Sequence, residues 1–111
     1  MPPGFPFGGM ENPLLTFASP SIIDLTGSKS GVNVAIHEIA HSWTGNTVTC
    51  GNWSNLWLNE GFTVFMERKV GQMLFGDNYW KIEAINGNST VNHDYETFEK
   101  INQPTYTALN P

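Results

Sequence analysis

The sequence predicts an α+β fold that is mostly α, with a short β region leading into helices. Three observations carry that expectation. Residues 1–13 concentrate four of the seven prolines and three of the eleven glycines, a composition that excludes helix. A short apolar run, Leu14-Leu15-Thr16-Phe17-Ala18, follows between Pro13 and Pro20 and reads as a strand near a sheet edge. From Val32 onward, apolar residues recur at helical spacing in two separate segments.

Taken in order, Pro2 to Pro13 is an extended segment with a tight bend expected at Gly8-Gly9. Ile22-Ile23-Asp24-Leu25 suits either an extended piece or one helical turn, and Thr26 to Ser30 is a loop rich in capping residues. A helix is expected from Ser30 or Gly31 to about Thr44, with Gly45 as its stop. Its core face is expected to be Val32, Ile36, Ile39 and Trp43. A second helix is expected from Leu56 to about Leu74, capped by Ser54 or Asn55 and ended by Gly76. Asp77 is placed to cap a third helix, Asn78 to Ile85. A turn at Asn86-Gly87-Asn88-Ser89 and a fourth helix, Val91 to Ile101, follow, although the two segments also fit one interrupted helix. Gln103 to Pro111 reads as irregular chain. The 111 residues thus divide into an extended segment (1–27), a helix pair (28–76), and following helices with an irregular tail (77–111).

Composition narrows the function classes. The net charge is −5 with no basic run, which argues against nucleic acid and tolerates a cationic or amine-bearing substrate. One cysteine, Cys50, allows no internal disulfide. The N-terminal residues lack the pattern of a signal peptide, and no apolar run reaches membrane-spanning length, so the expectation is a cytoplasmic protein without a membrane span.

The chemistry concentrates in His37-Glu38-Ile39-Ala40-His41. Two imidazoles four residues apart lie on one helical face, where both rings reach a single ion, and Glu38 projects beside them. Zinc accepts imidazole and carboxylate and keeps a position open for water in catalytic sites. Such a pair also arises on solvated faces or as core histidines bonded to backbone, and it supplies only two ligands. Glu60, on the second helix, offers a third. With zinc on His37, His41 and Glu60, the pKa of a bound water falls to about 7. Glu38, adjacent to a ligand but itself free, can then act as general base. Glu67 lies two helical turns past Glu60 on the same face, either as a surface charge or as an acceptor for a ligand's ring N–H. Glu11 sits in glycine-flanked extended chain. It is either a surface charge or a carboxylate that pairs with a free α-ammonium group, restricting cleavage to the first peptide bond.

Three stretches together resemble a known family. Phe5-Pro6-Phe7-Gly8-Gly9-Met10-Glu11-Asn12, His37-Glu38-Ile39-Ala40-His41 and Trp57-Leu58-Asn59-Glu60-Gly61-Phe62 are similar to the three signatures of the zinc aminopeptidases of the aminopeptidase N superfamily. Residues 42–59 give the family's interval between His41 and Glu60. Gly8 to Pro13, Leu15 to Phe17 and His41 to Asn46 resemble the branch of leukotriene A(4) hydrolase and aminopeptidase B. The resemblance runs from Pro2 to about Gly76. It implies part of a thermolysin-like zinc metallopeptidase catalytic domain, with one zinc on His37, His41 and Glu60, and Glu38 as general base. It further implies Gly8, Gly9, Met10, Glu11 and Asn12 as substrate-binding residues, with Glu11 on the amine, and Glu67 as the carboxylate behind a ligand histidine. The implied substrates are peptides with a free N-terminus, and a lipid epoxide is implied as a second substrate of the full-length protein.

The chain also departs from the family. The catalytic tyrosine expected in a Tyr-Glu-Lys-Gly context has no counterpart: Tyr95-Glu96-Thr97 lacks the Lys-Gly and follows Glu60 too soon, and Tyr106 has no such context. Phe62 stands where the best-known epoxide-hydrolysing member has histidine. The chain therefore reads as a piece of a catalytic domain. The alternative to an aminopeptidase is a zinc-binding fragment without turnover.

Overall fold

The computed structural model describes residues 1–2, 4–23 and 31–103. Two short strands, β1 (Gly9–Met10) and β2 (Phe17–Ala18), pair antiparallel with Gly9 opposite Ala18 and Met10 opposite Phe17. A 3₁₀ turn, Pro20–Ile22, follows, opened by Ser19, whose side chain accepts from the Ser21 N–H. Three helices come next: α1 (Val32–Ala40), α2 (Leu56–Phe75) and α3 (Asp77–Lys100). α1 packs against α2 and β1, and α2 packs against α3. The helix-dominated α+β expectation therefore holds.

The strand is shorter than its apolar run suggests. Pro13 brings no N–H to a ladder, and Leu15 N–H instead closes a turn on the Asn12 carbonyl at 3.1 Å. Leu14, at φ +66°, and Leu15 are exposed. The bend expected at Gly8-Gly9 lies at Pro6–Gly8, and Gly9 is already strand. Asp24 to Ser30 and Pro104 to Pro111 lie outside the described residues.

α1 ends four residues before the expected Thr44. The Ser42 and Trp43 N–H groups turn back to Ile39 and Ala40 at 3.0 Å each, tightening the last turn. Residues 41–48 then form a loop held by Asn46 N–H to His41 carbonyl (2.9 Å), Val48 N–H to Trp43 carbonyl (3.0 Å) and a Thr44–Val48 bridge. Gly45, at φ +138°, turns the loop over His41, and a Cβ there would stand 2.7 Å from His41 Nδ1. Its role is closer to the site than that of a helix stop.

The expected core face of α1 is corrected as well. Ile39 and Trp43 are each 59% exposed, whereas Glu38, Ala40 and His41 are buried. The loop ending α1 moves Trp43 off the helical stripe, and α2 packs onto the side that carries the histidines. Ala40 is the one buried apolar side chain among those described; besides Gly45 and Gly71, the other buried residues are polar: Ser19, Glu38, His41, Asn59, Thr63 and Glu67. The interior of this chain is its polar site.

α2 starts at the expected residue and runs to Phe75, with Gly76 (φ +88°) ending it. Asn55 stands at its cap position without a capping bond, and its amide donates to Asn52 Oδ1 at 3.0 Å. Asp77 does not cap either; it is the first residue of α3 and accepts from Gln72 Nε2 at 2.9 Å. The expected turn at residues 86–89 is absent, because α3 is one continuous helix. Gly87 faces the Arg68 guanidinium of α2, where a Cβ would come within 2.7 Å of Nη2. Gly71 in the same way leaves room for the Tyr79 ring, and Phe65 meets Trp80 edge-on at 6.0 Å.

Candidate active site

α1 brings His37 and His41 one turn apart, and α2 brings Glu60 and Glu67 beneath them two turns apart. His37 Nδ1 lies 3.0 Å from Glu67 Oε2, and His41 Nδ1 lies 2.8 Å from the Thr44 carbonyl oxygen. A carboxylate and a carbonyl only accept, so each Nδ1 carries the proton and donates. Each Nε2 of the neutral rings then presents a lone pair. The two Nε2 atoms face one another at 3.1 Å, with Glu60 Oε2 at 3.3 Å from His37 and 3.6 Å from His41.

Three acceptors thus converge with no donor among them. A lone proton between the rings, or a cation, resolves the conflict, and the donor set of two imidazoles and one carboxylate is the one zinc takes in hydrolytic sites. The residues fit one zinc ion on this ground. Glu60 remains 45% exposed, so the centre opens to solvent on that side.

A second grouping, Glu11, Glu38 and His41, also places its potential ligand atoms within 4.8 Å of one another. It shares His41 with the first but replaces a neutral imidazole by a second carboxylate. The first grouping is the stronger metal set because both histidines already have Nδ1 occupied by an acceptor. In the second, the proximity of Glu11 and Glu38 marks a place for positive charge beside the metal position.

Electrostatics follow from this crowding. The hydrogen bond to Glu67 raises the His37 pKa above its ordinary value of 6.5; desolvation opposes the rise, and the charges of Glu67, Glu38 and Glu60 add to it. Burial raises Glu38 above 4.5, against the pull of His37 and His41 and with help from Glu11 and Glu60.

β1 supplies the other wall. Gly9 lies directly over the Glu38 carboxylate, and a Cβ at that position would overlap it. An open pocket beside the centre is lined by Phe7, Gly8, Gly9, His37, Glu38 and Glu67, among others. Asn46, in the loop after α1, donates from Nδ2 to the Glu11 carbonyl oxygen at 2.8 Å and so ties the Glu11 segment to the histidine loop. Asn12 is half-buried, and its Nδ2 has no hydrogen-bond partner among the described residues. Met10 is held in the hairpin opposite Phe17.

Sequence reasoning did not single out Asn46 or Thr63. Thr63 is wholly buried, with its hydroxyl 3.1 Å from His41 Nδ1. Its position on α2, three residues past Glu60 and four before Glu67, was a readable signal; that of Asn46 depends on the loop and was not.

The Peptidase family M1 domain profile matches residues 1–107. The chain belongs to peptidase family M1. Over 110 residues it is 46% identical to leukotriene A-4 hydrolase of Xenopus laevis, covering 99% of this chain and 18% of that protein. Over 91 residues it is 54% identical to aminopeptidase B of Rattus norvegicus, covering 82% of this chain and 14% of that protein. The structure of native leukotriene A4 hydrolase from Saccharomyces cerevisiae superposes with a TM-score of 0.72 at 42% identity, over 80% of this chain and 14% of that one. The chain therefore spans less than a fifth of the length of these M1 relatives and forms part of a thermolysin-like catalytic domain. Family M1 enzymes are zinc-dependent as a family, and the described residues offer ligand groups for such an ion. No helix among the described residues is long and apolar enough to cross a membrane.

Proposed function

We propose that the protein is a zinc aminopeptidase, with His37, His41 and Glu60 as metal ligands, and that it hydrolyses the first peptide bond of substrates with a free N-terminus. The supporting observation is the convergence of two imidazole lone pairs and the Glu60 carboxylate without a proton donor. Bound there, zinc supplies Lewis acidity toward the scissile carbonyl and the attacking water.

The chain's own residues do the rest. Glu38 takes the proton of the attacking water and returns it to the leaving amine; its raised pKa moves it toward the working pH, where a general base is most effective. Glu11, close to Glu38, receives the substrate's ammonium group. The backbone of Gly8 and Gly9 lines the pocket beside Glu38 and offers an extended edge to the substrate main chain, with Met10 and Asn12 continuing that segment. Glu67 holds His37 with Nε2 turned to the metal.

The test is aminoacyl-amide hydrolysis by the protein and by Glu38→Gln. We expect turnover to fall by about 10²–10⁴-fold with zinc content unchanged, the usual range for removing a general base. Equal rates would remove Glu38 from the mechanism, and zinc without hydrolysis in the parent would favour a metal-binding segment without turnover. Opening of a lipid epoxide is a second reaction, supported by similarity to proteins named leukotriene A4 hydrolase. Absence of a diol product from a leukotriene epoxide would remove it.

A further inference from the structure

We propose that Thr63 is a positioning residue for the metal centre, and that its hydroxyl fixes the tautomer of His41. The proposal rests on the reading of His41 as a ligand, but its geometry stands apart from any ion. Thr63 is 0% exposed and His41 is 1% exposed, so neither has water as an alternative partner. Thr63 Oγ1 donates to the Thr44 carbonyl at 2.8 Å and lies 2.6 Å from Thr44 Oγ1 and 3.1 Å from His41 Nδ1.

Counting protons decides the direction of each bond. The Thr63 hydrogen goes to the Thr44 carbonyl, so Oγ1 is left to accept from the Thr44 hydroxyl and from His41 Nδ1–H. The His41 N–H is shared between the Thr44 carbonyl and the Thr63 hydroxyl, two acceptors on the same side of the ring. Without Thr63, the carbonyl loses the donor that anchors it to α2, and the ring loses one of its two acceptors. The Thr44 hydroxyl otherwise reaches α2 here only through Thr63 itself and Met66 Sδ at 4.0 Å, its contact with the Ala40 carbonyl at 3.5 Å going back to α1. Ring flipping or the Nε2–H tautomer then becomes accessible, and either one removes the lone pair from the metal position.

Glu67 holds His37 with a charge, whereas Thr63 holds His41 through a neutral hydroxyl and a loop carbonyl. The two ligands are thus oriented by different devices from one face of α2.

The test uses two matched pairs that differ chiefly in the hydroxyl: the parent against Thr63→Val, and Thr63→Ser against Thr63→Ala. Zinc dissociation constants come from competition with a chromophoric chelator, and the His41 tautomer of the metal-free protein from ¹⁵N ring shifts. We expect the hydroxyl-bearing member of each pair to bind zinc about 10–100-fold more tightly, the usual effect of an orienting partner. We also expect its His41 to be Nδ1–H, against a mixture of tautomers in the other member. The smaller pair decides if Thr63→Val does not fold. Equal zinc affinity within the pairs, or a uniform Nδ1–H tautomer in all four proteins, overturns the proposal. A parent that binds no zinc overturns the ligand reading instead, and the tautomer measurement still judges Thr63.

Discussion

The backbone of Gly9 rests on the Glu38 carboxylate so closely that no Cβ fits between them. A strand two residues long thereby sets the position of the proposed general base from outside its own helix. Glu38 is buried where this contact lies, and burial is what raises its pKa most.

Gly9→Ala is therefore expected to push the Glu38 side chain aside while leaving His37, His41 and Glu60 in place. Turnover should fall by roughly 10²-fold, the scale of an ångström-level misplacement of a catalytic group. Zinc content and affinity should stay within about 3-fold. Steady-state kinetics beside metal analysis checks this, and a loss of zinc of the same size as the loss of turnover would show that the strand supports the ligands instead.

Removing the carboxylate behind His37 should act on the metal first. Glu67→Ala takes away the acceptor 3.0 Å from His37 Nδ1, and zinc affinity should drop by about 10–100-fold. Chelator competition reads the change directly. An unchanged dissociation constant would remove Glu67 from the support of the metal ligands.

Much of this centre was legible in the sequence because helical geometry is local. The interval from His37 to His41 and that from Glu60 to Glu67 each fix a face without any tertiary information, and the structure pairs those faces as expected. The span of α2 was legible for the same reason, since Gly76 at positive φ ends it. Ile39 and Trp43 misled because their spacing assumes that α1 continues through residue 43, whereas the loop at 41–48 turns the chain away. The continuity of α3 was hidden because local composition at residues 86–89 favours a turn, and the Arg68 side chain that packs on Gly87 comes from another helix. The Gly9–Glu38 overlap, distant in sequence, left no local sign at all.

Asn46→Ala removes the bond that ties the Glu11 carbonyl to the histidine loop. We expect KM for substrates with a free N-terminus to rise by about 3–10-fold, in line with the loss of one ordinary hydrogen bond, with a smaller change in kcat. N-acetylated substrates should be equally poor before and after the change. A fall confined to kcat would place Asn46 elsewhere in the reaction.

The pH dependence of the metal-free protein has a definite sign. Glu38 and His37 both have folded-state pKa values above their ordinary 4.5 and 6.5, so the folded state binds protons more tightly than the unfolded chain. The stability each contributes is fully present below its ordinary value and is lost as pH rises through the raised one. Urea midpoints of the metal-free protein should therefore fall from pH 4.5 toward pH 8, with the His37 share falling above 6.5. A midpoint that climbs between pH 6.5 and 8 contradicts the assignment.

The central claim is that one zinc ion sits between α1 and α2 on His37, His41 and Glu60. Zinc titration by calorimetry, on the protein and on Glu60→Ala and Glu11→Ala, tests it most directly. The account predicts one ion per chain, affinity reduced by at least 10-fold in Glu60→Ala, and affinity nearly unchanged in Glu11→Ala. Binding that survives Glu60→Ala but is lost in Glu11→Ala would place the ion with Glu11, Glu38 and His41 and contradict the account.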